Sequence, residues 1–155
     1  MEYETLLMEY DNSELIIREK PLQGSLGRIK GNRIAICNDI TTTEKACILA
    51  EELGHYHTTV GNILDQTSVE NKKQERKARI WAYEKQIGLQ GLVNCFEERC
   101  RNEFEMAESL GVTEEFLKDA LAYFRQKYGI CTKYQYYTIF FEPTLLIHKY
   151  SKGEM

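Results

Sequence analysis

Between Thr41 and Thr59 the chain reads TTTEKACILAEELGHYHTT, and its apolar residues leave little choice of structure. Thr43, Ala46, Leu49, Ala50 and Leu53 recur at the three- and four-residue spacing of a single helical face. The spacing predicts a helix from about residue 42 to about 57, with NDITTTEK supplying capping residues ahead of it and Gly61 as its stop. A helix with one apolar face must be laid on another layer. This one carries Glu51, Glu52, His55 and His57 as well, so chemistry-bearing groups ride on a core element.

The flanking segments supply the other layers. Tyr3, Leu6, Leu7 and Tyr10 have helical spacing that DNS ends. ELIIREKPL is short and β-prone, with Pro21 marking an edge or a strand end. RIKGNRIAIC alternates on both sides of Gly31-Asn32 and reads as a hairpin. After the central helix, DQTSVENKKQERKARIWAYEKQIG reads as another helix, with Ser68 as cap, Ala78, Trp81, Ala82 and Tyr83 as apolar surface, and Gly88 as its end. LVNCFEERC, NEFEMAESLG and VTEEFLKDALAYFRQKYG read as three more helices, and TKYQYYTIFFEP as a strand or extended arm. The order predicts an α+β chain: N-terminal helix, small β-sheet, the helix from about residue 42, then a helical region. We divide it at Gly88, with residues 1–88 as one part and 89–155 as the other, the two forming one unit.

Composition narrows the function classes. With 155 residues, 43% of them hydrophobic, the chain can bury one core. A net charge of -4 argues against a general nucleic-acid or anionic-membrane binder, both of which want basic surface. Cys37, Cys47, Cys95, Cys100 and Cys131 are odd in number and form no C-x-x-C pair, so they read as small buried hydrophobes of a reducing compartment. MEYETLLMEYDN carries acids where a signal peptide has bases, and no apolar run is long enough to span a bilayer. The expectation is a cytoplasmic monomer with no membrane partner.

Glu51-Glu52-Leu53-Gly54-His55 stands where a zinc-protease helix has His-Glu-x-x-His. Residues four apart project together, about 40° out of register, so Glu51 and His55 share a face. In that motif the first and fifth positions chelate and the second position's carboxylate sits beside the attacking water. Glu52 keeps that second position, His55 the fifth, and Glu51 replaces an imidazole with a carboxylate, still a legitimate zinc ligand. Glu75, one helix downstream, is placed to supply a third. His57 and Asp65 are spare candidates; His57 lies about 200° round the helix from His55 and converges on it only if the helix unwinds at Tyr56. Spacing alone leaves open the reading of paired glutamates as solvated surface.

The runs GNRIAICNDITTTEKACILAEELGHYH, QERKARIWAYEK and LGVTEEFLKDALAYFRQKYG, together spanning about Glu14 to Gly129, resemble the ImmA/IrrE family of metallopeptidases of phages and integrative elements. The resemblance implies a zincin-like fold, a zinc ion, and cleavage of a helix-turn-helix repressor to release gene expression. It implies Glu52 as general base, with His55 and Glu75 as ligands. Glu51 departs from the family's histidine. Two imidazoles and one carboxylate leave a zinc site at about +1, and a second carboxylate brings it to about 0, which favours manganese or another hard ion more than usual.

Residues 97–127 have the cadence of a helix-turn-helix about Gly111-Val112, but hold eight acids and five bases. Acids opening the second helix would repel phosphates, so the motif is expected to pack on the rest of the chain or to dock a protein rather than bind DNA directly. The bases of KKQERKAR around Glu75 read as a solvated face. Two alternatives accompany the peptidase reading: a catalytically weak relative that binds the repressor as an anti-repressor, and a DNA-binding regulator.

Overall fold

The computed structural model describes residues 1–59, 68–151 and 153. Gly61, the expected helix stop, and Asp65, the spare ligand, lie outside the described residues. The first helix, α1 (Tyr3–Glu9), is followed by β1 (Ile16–Lys20), β2 (Gly27–Lys30) and β3 (Arg33–Cys37). Then come α2 (Thr42–Thr58), α3 (Ser68–Gln86), α4 (Gly88–Glu97), α5 (Glu103–Leu110) and α6 (Glu114–Tyr128). Three strands close the chain: β4 (Cys131–Tyr134), β5 (Tyr137–Phe140) and β6 (Leu146–Lys149). The molecule is α+β, as the pattern of elements implied.

The first sheet has the order β1-β3-β2. The hairpin forms about Gly31-Asn32 as expected: β2 and β3 are antiparallel with Lys30 opposite Arg33, and Gly31 takes φ 62° at the first turn position, where glycine is needed. β1 then adds to the far side of β3 in parallel, from Ile16 opposite Arg33 to Lys20 opposite Cys37. Ile34 and Ile36 of the central strand are buried, and α2 lies against this sheet through its apolar stripe of Ala46, Leu49, Ala50 and Leu53. A capping box starts α2: the Glu44 amide donates to Thr41 Oγ1 (3.1 Å), and the Thr41 amide donates back to Glu44 Oε1 (3.4 Å).

The helices α2 and α3 cross in backbone contact at Gly54. A Cβ at that position would stand 2.3 Å from the Ala78 carbonyl oxygen, so only glycine permits the approach. The helix-turn-helix look-alike is α5–α6. Its apolar face, including Phe116, Leu117, Ala120, Leu121 and Phe124, is consumed in the core. It also grips α3: Tyr123 Oη donates to Glu84 Oε1 (2.7 Å), Lys127 pairs with the same carboxylate (3.1 Å), and Tyr83 meets Phe116 edge-on.

One expectation is resolved and one needs correction. TKYQYYTIFFEP takes the strand alternative and not the arm: it forms the first two strands of an antiparallel sheet of order β4-β5-β6, with Tyr137, Thr138 and Ile139 buried and Phe141, just beyond β5, stacked near Phe124 and Tyr128. The cysteines are all free, but only Cys37, Cys47 and Cys95 are buried; Cys100 is half-buried and Cys131 exposed. The buried cluster runs from Tyr3 to Phe141 and draws on both sides of Gly88. Among the described residues no helix is long and apolar enough to cross a membrane.

Candidate metal centre

The Gly54–Ala78 crossing decides which polar groups meet. One residue past Gly54 on α2, and one turn before Ala78 on α3, His55 Nε2 and Glu75 Oε1 stand 3.2 Å apart. His55 is mostly buried, while Glu75 opens to solvent. Two ligands on a tetrahedral zinc, each at about 2.0–2.1 Å, are held about 3.3 Å from one another. The observed pair therefore has ligand-to-ligand spacing.

Glu52 sits between α2 and the edge strand β2. A Cβ on Gly27 would stand 2.9 Å from Glu52 Oε1 and 2.5 Å from Ile48 Cγ2, so the missing side chain of Gly27 is the space that admits the carboxylate. Burial, and then the charges of Glu51 and Glu75, push the Glu52 carboxyl up to about 7. A carboxylate poised there both accepts and returns a proton near neutrality. Sequence reasoning missed Gly27, because nothing local marks where a helix will approach a strand.

Glu51 is only partly where the motif puts it. It lines a cavity between α2, α3 and α6 together with Arg79, Tyr83, Glu115 and Asp119. Burial raises its carboxyl most; Arg79 pulls it back, and Glu75 and Asp119 push it further up. Among the described residues no three His, Cys, Asp or Glu side chains stand together as a metal-holding group. The structure thus joins His55 to Glu75 and leaves Glu51 one helical turn away, in reach of Arg79's charge. His57 points elsewhere. Its ring stacks on Trp81 at 4.9 Å and its Nε2 is hydrogen-bonded to Tyr10 Oη (2.8 Å).

The donors fit a divalent cation. They are the His55 imidazole nitrogen and a Glu75 oxygen, one pair at ligand spacing, beside the Glu51 and Glu52 carboxylates, where neighbouring negative charge raises the affinity for positive charge. A helix that offers a base at one position and a histidine three later, met by a carboxylate from the next helix, is the plan of a metallopeptidase. The chain belongs to the IrrE N-terminal-like domain family of peptidases, whose family model matches residues 10–122. That match bears out the resemblance to the ImmA/IrrE family read from the sequence.

Other likenesses are local. Over 60 residues the chain is 33% identical to translation initiation factor 6 of Methanococcus maripaludis strains C5 and C6. The aligned segment spans 39% of this chain and only 26% of those relatives, too little to carry fold or function. No solved structure matches the chain significantly.

Proposed function

We propose that the chain is a zinc- or manganese-dependent endopeptidase that cuts a helix-turn-helix repressor of a phage or mobile element. His55 and Glu75 hold the ion, Glu51 completes the set by turning from Arg79, and Glu52 is the general base. The observation that carries the reading is the 3.2 Å His55–Glu75 pair beside a glutamate whose carboxyl is raised to about 7. A divalent ion bound there supplies Lewis acidity toward the scissile carbonyl. Glu52 takes the proton from the attacking water and passes it to the leaving amine. Gly27 opens β2, and β2 is an edge strand, so an extended substrate segment can add alongside it and present its peptide bond to Glu52.

The repressor as substrate follows from the family resemblance and from the acidic α5–α6 unit, which suits protein docking better than phosphate contact. The test incubates purified protein with a helix-turn-helix repressor and zinc or manganese, and follows fragments by mass spectrometry. A metal-dependent fragment that chelator abolishes supports the proposal. Tight repressor binding with no fragment under any metal moves the chain to the anti-repressor reading.

A further inference from the structure

His57 is left over by the metal centre, yet it is among the most engaged side chains on α2. Its ring lies nearly parallel to Trp81 of α3, with centroids 4.9 Å apart and planes at 20°. Tyr10, just after α1, hydrogen-bonds its Nε2 at 2.8 Å, and Tyr56 meets it edge-on at 5.1 Å. Tyr56 in turn donates its hydroxyl to Glu14 ahead of β1. Two separate pieces of chain, at Tyr10 and Trp81, thus converge on one histidine in the last turn of α2.

That last turn needs holding. The final carbonyls of a helix lack intrahelical partners and the end frays, and α2 ends at Thr58, three residues past His55. At Gly54 and Ala78 the backbones of the two helices meet. One point fixes the distance between two helices but leaves each able to rotate about it. Contacts on either side of the point remove that freedom. On α3, Glu75, Ala78 and Trp81 follow at one per turn; on α2, His55 and His57 point about 200° apart. The His55–Glu75 pair therefore lies on one flank of the crossing and the His57–Trp81 stack on the other.

We infer that His57 is a positioning residue: clasped between Tyr10 and Trp81, it pins the last turn of α2 to α3 and so holds His55 against Glu75. The inference rests on the metal-centre reading above for its functional consequence, but the clasp itself is a property of the metal-free protein. The role is one of packing rather than ligation: Nε2 is engaged by Tyr10 and the ring lies on Trp81.

The experiment reads two quantities in wild type, His57→Ala, His57→Phe and Glu75→Gln. One is the imidazole ¹⁵N shifts of His55 in metal-free protein. The other is zinc affinity by competition with a chromogenic chelator. His57→Ala should move the His55 shifts to their Glu75→Gln values and weaken zinc at least ~10-fold, the low end for loss of support behind a ligand. His57→Phe keeps a flat ring on Trp81 and should retain the wild-type shifts, with zinc weakened no more than ~3-fold. If His57→Ala does not fold, Trp81→Leu is read in its place with the same expectation. Wild-type shifts and affinity in the alanine variant overturn the clasp, as does a phenylalanine variant that loses zinc as fully as alanine. A wild type that takes up no zinc, while its His55 shifts still respond to His57→Ala, sinks the metal-centre reading and leaves the clasp standing.

Discussion

Glu52 and Glu105 are the same side chain in opposite surroundings, and the helix pairs that carry them differ in the same way. At α2–α3, backbones touch at Gly54, and Glu52 is driven up to about 7 by burial and by the nearby Glu51 and Glu75. At α5–α6, Asn102 and Thr113 cap the helices by accepting from the Glu105 and Phe116 amides, and Gly111 turns the chain at φ 69°. There Glu105 is held below its ordinary range, first by the Arg101 side chain and then by the Arg101 amide. Acids in the first turns of both helices meet the positive end of the dipole. The second pair settles its charges and serves the fold. The first keeps carboxylates in an unfavourable setting, one that a proton or a cation would relieve.

The comparison breaks most visibly in activity. Glu52→Gln should bind zinc and repressor but cut at least ~100-fold more slowly, the low end of general-base catalysis, while Glu105→Gln should cut at the wild-type rate. Equal rates for the two variants would remove Glu52 from the chemistry. Next is the crossing itself. Gly54→Ala forces a methyl onto the Ala78 backbone, which cannot swing aside, and should cost about 3 kcal/mol in denaturant unfolding together with most zinc affinity. Gly111→Ala should cost about 1–2 kcal/mol for its left-handed backbone and leave zinc affinity alone.

The pH dependence separates the two glutamates by sign. Glu52, raised from 4.5 to about 7, keeps a proton in the folded state that the unfolded state gives up. Its contribution is therefore full below about 4.5 and is lost as pH rises to about 7. Glu52→Gln should then gain on wild type between pH 5 and pH 8, by about 1–2 kcal/mol once partial solvent screening is allowed for. Glu105, lowered, contributes above its ordinary range and loses that contribution as pH falls. Unfolding curves at the two pH values check both; a gap that closes toward pH 8 would contradict the Glu52 assignment. The smallest expected effect is Thr113→Ala, about 1 kcal/mol from a lost cap with no change in cleavage.

The sequence revealed what depends on near neighbours. Apolar spacing located α2 almost to the residue, the run NDITTTEK announced a cap, and Gly31-Asn32 announced the hairpin. The motif pointed at Glu51, Glu52 and His55, with Glu75 added from the next helix, and the structure brings His55 and Glu75 into contact while Glu51 lies within reach of Arg79's charge. Long-range features were out of reach. The parallel union of β1 with β3 leaves no local mark. β6 is four residues with mostly exposed side chains, so it offers no alternation to read. The seat that Gly27 provides for Glu52 exists only once helix and sheet have met. His57, set aside by its 200° offset from His55, proved to face a different partner because Trp81 lies one turn past the crossing.

The strand order β1-β3-β2 also dictates a sequence of events. β2 and β3 are joined by two residues and can zip together in microseconds, needing nothing else. β1 is made before either, yet its hydrogen-bonding partner is the strand made last. It must wait, unpaired, until the hairpin presents β3, and only then add in parallel. In pulse-labelled amide exchange the hairpin should be shielded first and Ile16–Lys20 afterwards. The oldest strand of the sheet is the last to be woven in.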